Sequence, residues 1–242
     1  MSADEYDVAV VGGGVAGRSA SVFTARHDLE TVVIDAGGSV LRRNAHLENY
    51  PGFPAGIDAR TLLDAMREQA EGAGVDFVSA RVTALERTDG GFTVETESGD
   101  RYATRFAIAA TKNETDYLSH LDGVDLIDRG KTFVATDERG HTGVEGLYAA
   151  GRIAGKPHQT VVAAGHGAEV AVALLEDADV PFYHDWVAPE RYFTGRRREV
   201  PPGVEEIDAD ERRTREAEAR EWMASVAEAP NPETPDQHPS VE

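Results

Sequence analysis

Tyr6-Asp7-Val8-Ala9-Val10-Val11-Gly12-Gly13-Gly14-Val15-Ala16-Gly17 is the stretch whose reading decides the fold. Its valine-rich first half reads as a buried strand, which breaks at the glycines into a small-residue helix start. Gly12, Gly14 and Gly17 fill the spacing G-x-G-x-x-G, and each has a separate task. Gly12 makes the tight turn, Gly14 lets a pyrophosphate approach the backbone, and Gly17 lets the helix pack close to the strand. Free amides at the helix N-terminus then receive the phosphates. A second run, Thr31-Val32-Val33-Ile34, ends in Asp35, 18 residues after Gly17, where a carboxylate accepts ribose hydroxyls. Strand, glycine turn, helix, strand and acid together imply a dinucleotide site; the alternative is a glycine turn with no ligand.

The chain has 242 residues, enough for one core with appendages. No apolar run approaches the roughly 18 residues of a membrane span, and the acidic N-terminus lacks the basic start of a signal peptide. The expected location is cytoplasmic. With no cysteine in the sequence, disulfides, thiolate metal sites and cysteine nucleophiles are excluded together. The eight histidines show no metal-ligand spacing, so no metal is expected. A net charge of −20, with 44 acids against 24 bases, argues against nucleic acid or an anionic membrane as partner. Lys112, Lys131 and Lys156 are the only lysines. Many carboxylates, few lysines and no cysteine suit a high-salt cytoplasm, where screening removes self-repulsion.

Along the chain, residues 37–56 read as an irregular loop containing Asn49-Tyr50-Pro51-Gly52-Phe53-Pro54. Asp58 caps a predicted helix ending near Glu71. From Val75 to Ala110 the period changes to two: Phe77-Val78, Arg81 to Glu86, Phe92 to Thr96 and Arg105 to Ala110 read as strands, a meander whose last member returns to the main sheet. Lys112 to Arg129 is poorly patterned, Phe133-Val134-Ala135 reads as a short strand, and Leu147 to Ala150 reads as a buried strand running into Gly151-Arg152. A helix from Val161 to about Glu176 carries so little bulk at Ala163, Ala164, Gly165, Gly167 and Ala168 that something must pack close to it. Tyr183, Trp186, Tyr192 and Phe193 form an aromatic cluster, and Arg196-Arg197-Arg198 reads as a solvated run. These features divide the chain into residues 1–187 and a C-terminal extension over 188–242, with a helix at about 208–229 and a proline-rich tail, 230–242, whose composition predicts disorder.

The glycine loop, the Asn-Tyr-Pro-Gly loop, and Gly146 to Gly151 followed by Gln159-Thr160-Val161 together resemble the flavin domain of thioredoxin reductase-like flavoproteins, over roughly residues 5 to 178. The resemblance implies FAD as cofactor. It places the pyrophosphate on Gly12, Gly13, Gly14, Val15, Ala16 and Gly17, the adenosine ribose on Asp35 and Ala36, and adenine at Val82. Arg43, Asn44, Ala110, Thr111, Gly151 and Arg152 complete the implied cofactor set. Asn49 lies by the isoalloxazine, and Gln159, Thr160 and Val161 lie near flavin N1 and O2, where a helix N-terminus stabilises negative charge. His158 and Asn49 are the candidate catalytic groups, with His158 a candidate proton donor; His46 has a similar standing.

The departures matter equally. The family inserts a pyridine-nucleotide domain where this chain has only Lys112 to Glu145, and no redox cysteine pair is present. Arg152 stands where the family has an aspartate, and Lys112 where it has a glycine. The expected fold is therefore α/β: a three-layer Rossmann-type FAD/NAD(P)-binding domain with a parallel sheet, helices on both faces and a small antiparallel meander. The expected function is a single-domain FAD-dependent oxidoreductase supplied by a small-molecule or protein electron donor, and the resemblance implies a homodimer. Two alternatives stay open: a catalytically silent dinucleotide-binding module acting as sensor or assembly subunit, and NAD in place of FAD. The charge reading makes a direct prediction: thermal unfolding at low ionic strength occurs well below that in molar potassium chloride. Equal midpoints in the two conditions would refute the high-salt reading.

Overall fold

The computed structural model describes residues 4–181, 184–228, 230–238 and 240–241. In chain order its first elements are β1 (Asp4–Val11), α1 (Val15–Ala25), β2 (Thr31–Ile34), α2 (Ala59–Gly72) and β3 (Asp76–Val78). The meander follows as β4 (Val82–Thr88), β5 (Gly91–Thr96) and β6 (Arg101–Ala109). Then come β7 (Leu126–Asp128), β8 (Thr132–Val134), β9 (Leu147–Ala149), α3 (Thr160–Asp177), β10 (Trp186–Pro189), β11 (Val204–Ile207) and α4 (Ala209–Glu228).

Parallel pairing runs β3-β2-β1-β6, and β9 adds beside β6. One strand joins two kinds of sheet. The first half of β6 pairs antiparallel with β5, as at Glu95 with Arg101, and its second half pairs parallel with β9, as at Ala107 with Leu147. The sequence reading began this strand at Arg105, four residues late, because its first half alternates with polar residues on the exposed side.

Alternation along the strands builds two apolar faces. Val8, Val10, Val33 and Ile108 pack with Ala16 and Ala20 of α1 and with Val170, Ala171 and Leu174 of α3. Ala9, Val11, Val32 and Ile34 face the other way, against Leu85, Phe92 and Val94 of the meander and against Tyr117, Leu118 and Ile153. Helices were expected on both faces. The second is covered instead by β4, β5 and short 3-10 turns, whose apolar side chains bury it as well as a helix would. The three layers are thus helix, sheet and meander.

Glycine sets the tightest contacts. A Cβ on Gly17 would lie 2.0 Å from the Gly12 carbonyl oxygen, and one on Gly167 would lie 2.1 Å from that of Ala16. The small-residue side of α3 therefore packs on α1, and it is not free to serve a second chain. Gly165 faces open space, and Val161 and Val162 at the helix start are exposed.

Asp58 caps α2, accepting from the Arg60 and Thr61 amides at 2.9 and 3.0 Å. Arg60 is itself buried; its guanidinium pairs with Asp58 and donates to the carbonyls of Arg42 and Asn44 at 3.0 and 2.8 Å. That clamp fixes the loop after β2.

Sequence patterning missed three strands, β7, β10 and β11, which are too short to show a period. β7 pairs antiparallel with β8, and β10 pairs parallel with β11. Trp186, Tyr192 and Phe193 do cluster, edge to face, while Tyr183 lies outside the described residues. α4 has no buried residue, and ion pairs such as Arg215 with Glu211 and Arg212 with Glu216 run along it. In the tail, Asn231 donates to Asp64, and Glu233 and Asp236 both pair with Arg42. Among the described residues no helix is long and apolar enough to cross a membrane.

The α1–α3 contact yields a paired prediction. Gly167→Ala forces the helices apart and should cost about 1–3 kcal/mol, read as a clear fall in Tm. Gly165→Ala, with nothing within 4 Å, should be neutral or stabilising by up to about 1 kcal/mol. Equal effects on Tm would contradict this packing.

Candidate functional site

The carboxyl ends of β1, β2, β6 and β9 and the starts of α1 and α3 meet around a cavity of about 470 Å³. An open α/β sheet offers its ligand crevice at this edge.

One end of the cavity is the glycine loop. Gly12 has φ +107°, and a Cβ there would sit 2.7 Å from the Ala110 carbonyl oxygen. Gly14 is the N-cap of α1 with no side-chain cap, and a Cβ on it would meet only Ser39 Oγ, at 3.8 Å. The amides of the first helical turn therefore face space that a ligand can enter. Asp35 lies tight against the loop: a Cβ on Gly13 would come within 2.4 Å of its Oδ2. Its Oδ1 accepts from the Gly37 amide at 3.2 Å. Arg18 stands 4.0 Å from the Asp35 carboxylate and is buried, with its guanidinium also bonded to the Leu63 carbonyl. Burial lowers the Arg18 pKa, and the Asp35 charge works against that shift. This arginine was missed by sequence reasoning; its only signal was a charge inside an otherwise small-residue helix.

The opposite end is the start of α3. Asn49 Nδ2 donates to Gln159 Oε1 at 2.9 Å, tying the Asn-Tyr-Pro-Gly loop to the helix N-cap. Gln159 and Thr160 line the cavity. Gly151, at φ +74°, donates its amide to His166 Nδ1 at 2.9 Å, and a Cβ there would strike Ala16 Cβ at 2.7 Å.

Between the ends the wall is basic. Arg43, Lys112, Arg152 and His158 all line the cavity. Burial and then the charges of Arg152, Lys112 and Lys131 lower the His158 pKa and so disfavour its charged form. Lys112 has φ +64°, the left-handed region natural to the glycine that it replaces. Its pKa is lowered by burial and by Lys131 and Arg43. Arg152 lies with its guanidinium 5.0 Å over the Phe133 ring and reaches the Lys156 carbonyl at 3.4 Å.

Of the expected cofactor residues, Gly12, Gly13, Gly14, Val15, Ala16, Asp35, Ala36, Arg43, Asn44, Val82, Ala110, Thr111, Arg152, Gln159 and Thr160 line this one cavity. Gly17, Asn49, Gly151 and Val161 are not in its wall. Gly17, Asn49 and Gly151 brace it from behind, and Val161 is exposed beside Thr160. His46 bonds Glu48 at 2.9 Å and does not line the cavity. The lining residues missed include Ser39, Glu114 and Tyr117, which sit in segments without recognisable pattern.

Residues 47–167 match the family model described as pyridine nucleotide-disulphide oxidoreductase. The chain belongs to that family. The family's dinucleotide cofactor is FAD. Similar proteins include the bifunctional thioredoxin reductase/thioredoxin of Mycobacterium leprae, 33% identical over 133 residues, covering 54% of this chain and 29% of the relative. Another is the thioredoxin reductase of Treponema pallidum, 33% identical over 135 residues, covering 54% of this chain and 43% of the relative. The chain thus spans less than half the length of these relatives. Among solved structures, a thioredoxin reductase from Gloeobacter violaceus aligns with TM-score 0.64 at 20% identity, over 74% of this chain and 97% of that one. One from Streptococcus pyogenes gives TM-score 0.66 at 16% identity, over 74% and 99%. These last two likenesses speak to fold alone.

The residues present fit a dinucleotide: the glycine loop leaves a backbone cradle open at Gly14, and Asp35 stands beside it. The carboxylate expected of the family at Arg152 is the one feature reversed.

His166 makes this region sensitive to acid. Because Gly151 N–H donates to Nδ1, the ring is neutral with its proton on Nε2, a buried atom without a protein partner. Burial and then the Lys156 charge lower its pKa from 6.5 to about 4. Between those values the unfolded chain binds a proton that the folded chain refuses. Stability present above pH 6.5 should therefore drain away as pH falls toward 4, by up to about 3 kcal/mol. Urea midpoints across that range should fall less steeply in His166→Asn than in the parent. Parallel slopes would clear His166 of the effect.

Proposed function

We propose that this chain is an FAD-dependent oxidoreductase whose electrons come from, or go to, an external small molecule or protein. The observation that carries the reading is the single cavity joining the glycine cradle and Asp35 to the Gln159 end of α3. Bound FAD supplies two-electron redox chemistry at its isoalloxazine ring. The chain's own groups do the holding. The α1 amides and Arg43 receive the pyrophosphate, and Asp35, oriented by Arg18 and the Gly37 amide, accepts from the ribose. Val82 packs on adenine. Asn49 and Gln159, fixed by their mutual hydrogen bond, orient the pyrimidine edge, and the Thr160 and Val161 amides hold negative charge there. His158 accepts or relays a proton at its ring nitrogen.

An external partner follows from what fills the interval between β6 and β9. Only a 3-10 turn and the β7–β8 hairpin lie there, and the chain has no cysteine to carry a disulfide exchange. A high-salt cytoplasmic setting and a homodimer belong to the same proposal; the exposed Val161 and Val162 offer an apolar contact for a second copy. Arg152 favours a rival reading, a silent dinucleotide module.

Absorbance of the purified protein after addition of FAD decides between them. A bound band near 450 nm that bleaches on reduction and recovers with an acceptor supports the enzyme. Asp35→Ala should weaken FAD binding about 10- to 100-fold, the worth of one or two hydrogen bonds to a charged group. Oxidation of NADPH should be slow and non-saturating; saturation at micromolar NADPH would overturn the external-partner reading, and failure to bind FAD would leave the silent module.

A further inference from the structure

A second cavity, of about 460 Å³, opens on the far side of Arg152. Ile127, Arg129, Phe133, Thr136 and Gly155 line it, and Arg152 is the wall that it shares with the flavin cavity. Its volume lies within the range of small-molecule sites. The β7–β8 hairpin builds half of this wall, in the interval where a larger domain is expected of the family.

The charge around it runs against the rest of the molecule. Across this chain of net charge −20, arginines are paired: Arg81 with Glu114, Arg101 with Glu86 and Glu95, Arg105 with Asp7, Arg139 with Glu176. Arg43, Lys112, Arg129, Lys131, Arg152 and Lys156 differ, as do Arg191, Arg196, Arg197 and Arg198 of the C-terminal extension. None of these has a carboxylate within 4.0 Å among the described residues. They include all three lysines of the sequence. Several of them are neighbours. Lys112 feels Lys131, Arg43 and Arg152, partly offset by the Glu114 carboxylate; Asn113 bonds the Thr132 carbonyl at 3.2 Å, and Arg152 bonds that of Lys156. Like charges crowded together without ion-paired carboxylates cost energy, the more so in the half-buried setting of Lys112 and Arg152. Solvation alone gives no reason to gather them here, when 44 acids are available elsewhere. An anion held among them does.

We propose that the cavity bounded by Arg129, Phe133 and Arg152 is the co-substrate site, and that it takes a small anion bearing phosphate or carboxylate groups. The proposal rests on the flavin reading for the role of that anion, but not for its binding. Arg152 serves as the gate-post between the two cavities: stacked over Phe133, it presents its guanidinium edge to an anionic group. Arg129, in the wall of the second cavity, and Lys131, two residues further along the same turn, both lie outside the flavin cavity.

The test titrates inorganic phosphate, and separately citrate, into the full chain by calorimetry, with and without saturating FAD and at one fixed potassium chloride concentration. The expected result is saturable binding of at least one probe, in apo and FAD-loaded protein alike. In the double variant R129A/K131A that binding should weaken tenfold or more while FAD affinity stays unchanged. The tighter probe identifies the anionic group. Three results would overturn the proposal: no saturable binding, binding indifferent to the double variant, or phosphate binding abolished by FAD. The last would mean that the basic cluster serves the cofactor's own pyrophosphate. Retained anion binding in a protein that takes up no FAD would sink the flavin reading and leave the anion site standing.

Discussion

The structure depends on how closely α1 is held from two sides. Its first turn sits on the Gly12 carbonyl, where Gly17 leaves only backbone, and its Ala16 carbonyl meets α3 at Gly167. At both contacts a side-chain carbon would overlap a carbonyl oxygen, so no larger residue fits without moving an element. This double contact aims the free amides of the helix into the crevice at the strand ends. It also brings Gly151 against Ala16 and sets the distance at which His166 can receive the Gly151 amide. Helix dipole, cradle and acid-sensitive histidine are thus consequences of one packing constraint.

Electrostatics then divides the molecule. Most of the surface is acidic with locally paired arginines, and such exposed pairs contribute little each. The buried ones differ. Arg60 organises the loop after β2 by satisfying two of its carbonyls, and Arg18 links α1, the Leu63 carbonyl and Asp35. Removing either would leave buried polar groups without partners, the costly direction of change. Arg42, one residue from the cavity wall, is held from outside by the tail residues Glu233 and Asp236. The C-terminal segment is therefore anchored beside the cavity wall.

The interval between β6 and β9 shows how a family scaffold can be reduced. β6 still delivers Ala110 and Thr111 to the crevice, β9 still delivers Ala150, and the two strands pair directly at Ala107 with Leu147. What lies between them is a hairpin small enough to leave the site open on that side. The change at Lys112 keeps the glycine's left-handed backbone while adding a cation to the wall. Arg152, where the resemblance implies a carboxylate, sets its guanidinium over Phe133 of the same hairpin.

The glycine cradle, Asp35, the Asp58 cap, the meander and the α3 start were legible in the sequence because each is a local requirement. Left-handed backbone at Gly12, close approach at Gly17 and a carboxylate ending β2 are fixed by neighbours a few residues away. The family motifs carried the rest of the cofactor wall. Tertiary structure alone decided which side of the sheet the meander covers, that the small face of α3 is spent on α1, and that Arg18 and Arg60 are interior groups. It also brought the scattered cations Arg43, Lys112, Lys131 and Arg152 near one another and set Arg129 and Arg152 in one cavity wall. Those outcomes turn on segments far apart in the chain meeting in space. A one-dimensional pattern records what each residue favours and is silent on what it will touch.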